Sequence, residues 1–379
     1  MRESITVLGG GQTSFGELWD SSLTDLLRMA VDRALDETKL VSTEIDCVVV
    51  GNMIGGETAE QAHLGSIVSS MLPHQPPALR VEAACASGGL AMHTACALLE
   101  SGRASTILVI GAEKLTDVAS DIVTSALMHA GHGEKDSPAG LTFPGIFGLA
   151  LQRYMHDYGL TRDELSAVSE VSHRAAVQNP YAQFRRAIPR DQISKSALVA
   201  DPLRLLDCSP ITDGAAAVIL STKHEGPVRV VASALSNDHV SLTERLSMTS
   251  FAATKRAMAD AMIESGWKHA DVDCLELHDC FSIASIIHLE DMGFANPGEG
   301  VRIFLDGDAD STGSLPINCS GGLKACGHPI GATGVKQILD LWKQLTGKAP
   351  NQVSNAKRGL AHNIGGIGAT CTIHCLEAL

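Results

Sequence analysis

The chain has 379 residues, 45% of them apolar, which is long for one typical core and enough for two. Its 29 Lys and Arg against 43 Asp and Glu leave a net charge of −14, which excludes a general attraction to phosphate backbones or anionic membranes, so nucleic acid is not an expected partner. Ten cysteines without a secretory signal argue for a reduced, cytoplasmic setting, and no apolar run approaches the roughly 20 residues that span a bilayer.

In chain order, β-branched apolar runs at residues 5–8, 47–50, 78–82 and 106–111 read as strands, with helical stretches at 23–37 and 87–100 between them. That alternation is the pattern of βαβ units around a buried, largely parallel sheet, so the class is α/β. After Gly226 the order repeats: a strand at 228–232, a helix at 252–264, a strand at 274–278, a helix at 282–292 and closing strands at 359–363 and 369–375. A repeated order implies a duplicated domain with a site between the copies. Residues 1–115 and 191–225 form the first half and 226–379 the second. Residues 116–190, rich in His, Arg, Tyr and Gly, form an insertion that either covers the site or stabilises the surface.

Four segments could carry chemistry. In Val81-Glu-Ala-Ala-Cys85-Ala-Ser-Gly-Gly-Leu90 a cysteine stands where a strand gives way to a helix, among neighbours small enough to admit a substrate. Free N–H groups and the helix dipole favour a thiolate there, whereas a packed core cysteine is the competing use. In Asn318 to Gly334 five glycines and a proline surround His328, which reads as a tight, exposed loop presenting a base that could activate a thiol. The alternative is a loop histidine capping the next helix. Leu277-His278-Asp279-Cys280-Phe281 follows a strand, and Ala361-His362-Asn-Ile-Gly-Gly-Ile-Gly368 reads as a glycine hairpin whose amides could hold an oxyanion.

Other routes fail on spacing. Gly9-Gly-Gly-Gln-Thr has Ser14 where a dinucleotide fingerprint needs its last glycine, and no P-loop occurs. The cysteines at 319, 326, 371 and 375 form no C-x-x-C pair, and His129 and His132 have no further ligands nearby, so no metal is expected. Arg185-Arg186 and Lys255-Arg256 are either holds for a phosphorylated group or solvated faces.

Together the four segments resemble the thiolase superfamily over essentially the whole chain, and Asp207-Cys-Ser-Pro-Ile-Thr-Asp-Gly-Ala-Ala-Ala resembles the end of that family's N-terminal half. Common thiolases carry Asn-Glu-Ala-Phe where this chain has His278 to Phe281, and a Cys-x-Gly-Gly-Gly turn where it has His362 to Gly366. Both departures are similar to the sterol-carrier-protein type and its archaeal and bacterial relatives. The resemblance implies two βαβαβαββ halves in five α-β-α-β-α layers. It also implies an acyltransferase that forms a thioester on Cys85, deprotonated by His328, in Claisen condensation of acetyl-CoA or thiolysis of a 3-ketoacyl-CoA.

By the same resemblance Cys280 is the proton-transfer residue with His362 in support, though the exchange of roles between these two stays open. His278 and His328 would hold the thioester enolate oxygen, and the N–H groups of Cys85 and Ile364 the tetrahedral intermediate. Ser250, Lys255 and Arg185 would touch coenzyme A, which is substrate, so no separate cofactor is implied. A homodimer or homotetramer is implied. Some relatives of the subgroup instead work with a small zinc-ribbon and OB-fold partner, acylating a non-CoA acceptor, channelling acetoacetyl-CoA to a synthase or cleaving by retro-aldol chemistry. Among candidate acyl-pocket residues, Met128, Phe143, Phe147 and Met155 compete with plain core packing.

Overall fold

The computed structural model describes residues 4–379. The first half runs through strand β1 (Thr6–Gln12), helix α1 (Leu23–Thr38), strand β2 (Cys47–Gly51), short helices α2 (Gly55–Thr58) and α3 (Leu64–Ser70), strand β3 (Ala78–Val81), helix α4 (Ser87–Glu100) and strand β4 (Thr106–Glu113). The chain then leaves the sheet for helices α5 (Ser120–Leu127), α6 (Phe143–Tyr158), α7 (Arg162–Ala176) and α8 (Arg190–Ser194) and a hairpin of β5 (Leu198–Ala200) and β6 (Leu203–Arg204). It returns as β7 (Gly214–Ser221). The second half contains β8 (Val228–Asn237), α9 (Ala252–Ser265), β9 (Cys274–Glu276), α10 (Ser282–Asp291), α11 (Arg302–Leu305), α12 (Ile330–Leu345), β10 (Arg358–Gly365) and β11 (Thr370–Ala378).

Helix α1 shows how local sequence sets an element. Ser22 and Asp25 form a reciprocal capping box at its start, and Lys39 takes a left-handed conformation at its end. Leu23, Leu26, Leu27, Ala30, Val31 and Ala34 recur every three or four residues, and all are buried.

Nine strands form one sheet in the order β3-β2-β4-β7-β1-β8-β11-β10-β9. It is mixed rather than largely parallel. Only β3 with β2, β2 with β4 and β9 with β10 run parallel, because each half closes with a strand, β7 or β11, that returns antiparallel between two earlier neighbours. β7 was not among the expected strands: its first half, Ala215 to Ala217, carries no β-branched signal, and the run Val218-Ile219-Leu220 that follows was passed over. Among the described residues the half-sheets meet through the pairs Thr6 with Arg229 and Val7 with Val228, and the Ile5 carbonyl accepts from Val230 N–H at 2.9 Å.

Across that seam the halves repeat one another. The order β3-β2-β4-β7-β1 is matched from the far edge by β9-β10-β11-β8, and Ile317 bridges Leu275 of β9 where β3 flanks β2. Helix α12 therefore corresponds to α4. These two pack on each other between the half-sheets, α1 covers β1, β4 and β7 from outside, and α9 covers β8 and β11. The result is the expected five layers.

Candidate active site

Symmetry brings the starts of α4 and α12 together. After β3 the chain turns through Ala84, whose φ of 50° is left-handed. Ser87 locks the turn by accepting from Ala83 N–H at 3.0 Å and donating to the Ala84 carbonyl at 2.6 Å. Cys85 is thus held, partly exposed, at the tip of α4. Glycines set how closely the helices approach: a Cβ on Gly334 of α12 would stand 2.1 Å from the Gly89 nitrogen, and one on Gly88 2.7 Å from the Gly331 carbonyl. Any side chain there would separate the two tips.

His328 comes from the other tip. Its loop winds through Gly321 and Gly327, both left-handed, around one turn of π-helix, Gly322–Cys326. Asp279 pins that turn by accepting from Leu323 N–H at 2.7 Å, and Thr212 accepts from His328 N–H at 3.0 Å. The loop is buried, with His328 only 7% exposed, which corrects the reading of an exposed loop: its glycines serve close packing. Glu113, at the end of β4, ties the halves by accepting from Met53, Ile54 and Gly331 N–H groups, each at 3.0 Å, and from Asn52 at 2.8 Å. Burial pushes its pKa up to about 7, against the pull of those donors.

The Cys85 sulfur and one ring nitrogen each of His278 and His328 all lie within 4.8 Å of one another. The two rings are 5.1 Å apart and nearly perpendicular. Their tautomers differ, and neighbours decide them. Asn363 donates to the Cys85 carbonyl at 3.0 Å and accepts from Gly89 N–H at 3.1 Å, which fixes its amide with nitrogen toward His278 Nδ1, 2.9 Å away. His278 Nδ1 must accept, so its Nε2 carries the proton. The Thr333 hydroxyl donates to the Pro329 carbonyl at 3.1 Å and so accepts from His328 Nδ1 at 2.6 Å, leaving His328 Nε2 a bare lone pair. Among the described residues neither Nε2 has a hydrogen-bond partner.

Charge is scarce here. Burial holds His328 down to about 3 and, with the neighbouring imidazoles, His278 well below its ordinary range, so both are neutral near pH 7. Burial also pushes the Cys85 thiol up to about 12, outweighing a hydrogen bond from Gly366 N–H. Burial thus works against the thiolate expected at the helix tip. The Cys85, His278 and His328 trio has the make-up of a metal-ligating set, but the Asn363 amide engages His278 Nδ1 and leaves the proton on its Nε2.

A cavity of about 220 Å³ opens onto these groups, lined by Cys85, Cys280, His328 and Gly366 and walled by apolar side chains that include Leu127, Phe143, Phe147, Phe281 and Ile330. Cys280 sits between halves: its carbonyl accepts from Ser209 N–H at 2.9 Å, and its thiol is raised by burial and by Cys85. Cys208 reaches the same cavity, a third thiol that the motif reading passed over.

His362 is not brought to this cavity. Successive residues of a strand face opposite ways, so Asn363 points to α4 while His362 points outward. The His362 ring lies tilted against His288 with centroids 4.5 Å apart, contacts Thr254 at 3.3 Å and accepts from the His278 backbone N–H at 3.5 Å. Ile364 pairs with Cys371 inside the β10 and β11 ladder, and the amide that reaches the Cys85 sulfur is that of Gly366. Ser250 and Lys255 are both engaged by Asp291, at 2.8 and 3.4 Å, and Arg185 is exposed; none of the three lines the cavity. Of the acyl-pocket candidates Phe143 and Phe147 line it, while Met128 and Met155 belong to the core. Asn363, Thr333 and Thr212 were missed; Asn363 adjoins His362 and Thr333 adjoins Gly334, while Thr212 has no such neighbour to mark it.

Residues 5–224 match the family description "Thiolase, N-terminal domain" and residues 234–378 "Thiolase C-terminal domain-like". The chain belongs to the thiolase family. Among thiolases it is 42% identical over 378 residues to an acetyl-CoA acetyltransferase of Methanothermobacter thermautotrophicus, covering 98% of each chain. It is 32% identical to sterol carrier protein 2 of Bos taurus, covering 97% of this chain and 71% of that one. The solved structure "Ltp2-ChsH2(DUF35) aldolase" superposes with a TM-score of 0.85 at 22% identity over 99% and 98% of the chains, a likeness of fold. The protein is a thiolase-type acyltransferase. Among the described residues no helix is long and apolar enough to cross a membrane.

Proposed function

We propose that the protein is a CoA-dependent thiolase in which Cys85 carries the acyl group, acting on acetoacetyl-CoA or another 3-ketoacyl-CoA and running in reverse as a Claisen condensation. The observation that carries this is the trio of the Cys85 sulfur and one ring nitrogen each of His278 and His328 within 4.8 Å, with His328 Nε2 bare and His278 Nε2 protonated, at a cavity that also holds Cys280. A neutral thiol beside a neutral base passes its proton as it attacks. The Cys85 proton moves to His328 Nε2 while the sulfur adds to the 3-keto carbon, and the Gly366 N–H receives the oxyanion. When the adduct collapses the bond between C2 and C3 breaks. The departing acetyl-CoA enolate keeps its oxygen on the Nε2–H of His278 and His328 and takes a proton at carbon from Cys280. Coenzyme A then gives its thiol proton to the Cys280 thiolate and attacks the Cys85 thioester, and Cys85 leaves with the proton from His328. Each step is a proton transfer, a carbonyl addition or the reverse of one, so no redox cofactor or metal is needed.

A homodimer fits this reading. β3 is an edge strand, paired on one side by β2, and it leads straight into Cys85. Retro-aldol cleavage in a two-protein complex is not favoured: the aldolase likeness is of fold, whereas the acetyltransferase relative is 42% identical.

The test separates the two cysteines. Cys280→Ala should still be acylated by acetoacetyl-CoA yet lose exchange of the acetyl-CoA α-protons into deuterated water, by roughly 10²- to 10⁴-fold, the usual worth of an acid–base group. Exchange at the wild-type rate in that variant would remove Cys280 from the proposal.

A further inference from the structure

The wall opposite the chemistry is shared with a second space. Phe147 of α6 lines the cavity that holds Cys85 and Cys280, and it also lines a void of about 10 Å³ bounded by Ile146, Ala150, Leu242, Met248, Phe251 and Ile367 among others. Among the described residues bordering these two spaces, Phe147 alone borders both. Its ring is 1% exposed, stacks on Phe281 with centroids 4.4 Å apart and planes 22° apart, and tilts toward Phe251 at 6.4 Å. Phe281 directly follows Cys280, so the stack sets this wall at a fixed place relative to the thiols.

We infer that Phe147 is the partition that sets acyl-chain length: with the ring in place the acyl group on Cys85 is confined to the nearer cavity, and without it the two spaces join into one apolar tunnel. This rests on the thiolase reading above. The chain of a 3-ketoacyl substrate beyond C3 is the part that stays on Cys85, and the apolar residues around that sulfur are where it must lie. The surface beyond the ring is aliphatic and aromatic apart from Arg245 and Ser247, so its apolar part suits methylene groups. Because close-packed rings do not yield by a methylene without cost, the limit should be sharp.

The experiment is a ladder of kcat/KM for thiolysis of even-numbered substrates from acetoacetyl-CoA to 3-ketododecanoyl-CoA, with wild type, Phe147→Ala and Phe147→Leu. Wild type should fall at least tenfold between acetoacetyl-CoA and 3-ketodecanoyl-CoA. Both variants should raise the ratio of long to short substrates, by roughly a hundredfold for Ala at about fourfold per newly buried methylene. A wild type that turns over 3-ketodecanoyl-CoA as well as acetoacetyl-CoA overturns the inference whatever the variants do. So does an unchanged ratio in Phe147→Leu that melts cooperatively, which keeps the test intact if the Ala variant fails to fold. No thiolysis at any length by wild type would instead sink the thiolase reading and this inference with it.

Discussion

His328 and His278 have the same side chain, stand 5.1 Å apart and are assigned opposite tasks by single neighbours. Thr333 keeps a proton on Nδ1 of the first and Asn363 denies it to Nδ1 of the second. Thr333→Val should therefore slow kcat roughly 10- to 100-fold, since a hydrogen bond to a group that becomes charged contributes about 1.5–3 kcal/mol. Thr333→Ser should recover most of the rate; equal loss in both would mean packing rather than the hydroxyl matters. The raised Cys85 thiol has its own signature. Alkylation of the peptide containing Cys85 in the free enzyme should climb with pH past 9, while a plateau below pH 7 would reveal a resting thiolate ion pair. At this scale the sequence showed Cys85, His278, Cys280 and His328, because strand-to-helix junctions announce themselves. It misplaced His362, because on a strand a shift of one residue turns a side chain to the other face, and only pairing with β11 shows which face is which.

At the scale of elements, the site exists because α4 and α12 touch through glycine. Gly334→Ala puts a methyl 2.1 Å from the Gly89 nitrogen, so one helix must move. Thermal unfolding should reveal a loss of about 1–3 kcal/mol, as overpacking usually costs, together with activity falling more than Cys85→Ser-independent measures such as the melt would explain. An active, fully stable Gly334→Ala would show that the helices have slack. The alternation of strands and helices was legible from apolar periodicity, and so was the duplication. The antiparallel return of β7 was not: it enters between β1 and β4, both far away in sequence, and Ala215 to Ala217 at its start carry no mark of a strand. The glycines were noticed but misread, since a glycine that lets two helices touch looks in sequence like one that opens a loop.

At the scale of the whole molecule, six imidazoles are buried uncharged. His328, His362 and His374 are held down to about 3, His173 to about 4, and His278 and His288 well below the ordinary value. Their folded pKa values are depressed, so the unfolded chain binds more protons as pH falls below 6.5, and the stability present above 6.5 is lost toward 3 or 4 at up to about 1.4 kcal/mol per pH unit for each group. Five carboxyls raised by burial, Glu113, Glu276, Asp279, Glu290 and Asp291, oppose this over part of the same range, one fewer than the histidines. The melting temperature should fall by several degrees between pH 7 and pH 5; a rise would contradict the burial of neutral histidines.

The duplicated fold converges on one sulfur, and labelling of that sulfur is the most direct test. Brief exposure to acetoacetyl-CoA followed by peptide mass mapping should place one acetyl group on the peptide holding Cys85 in wild type, leave it there in Cys280→Ala and remove it in Cys85→Ser. An acetyl group on Cys280 or Cys208, or full labelling of Cys85→Ser, would contradict the assignment of the nucleophile.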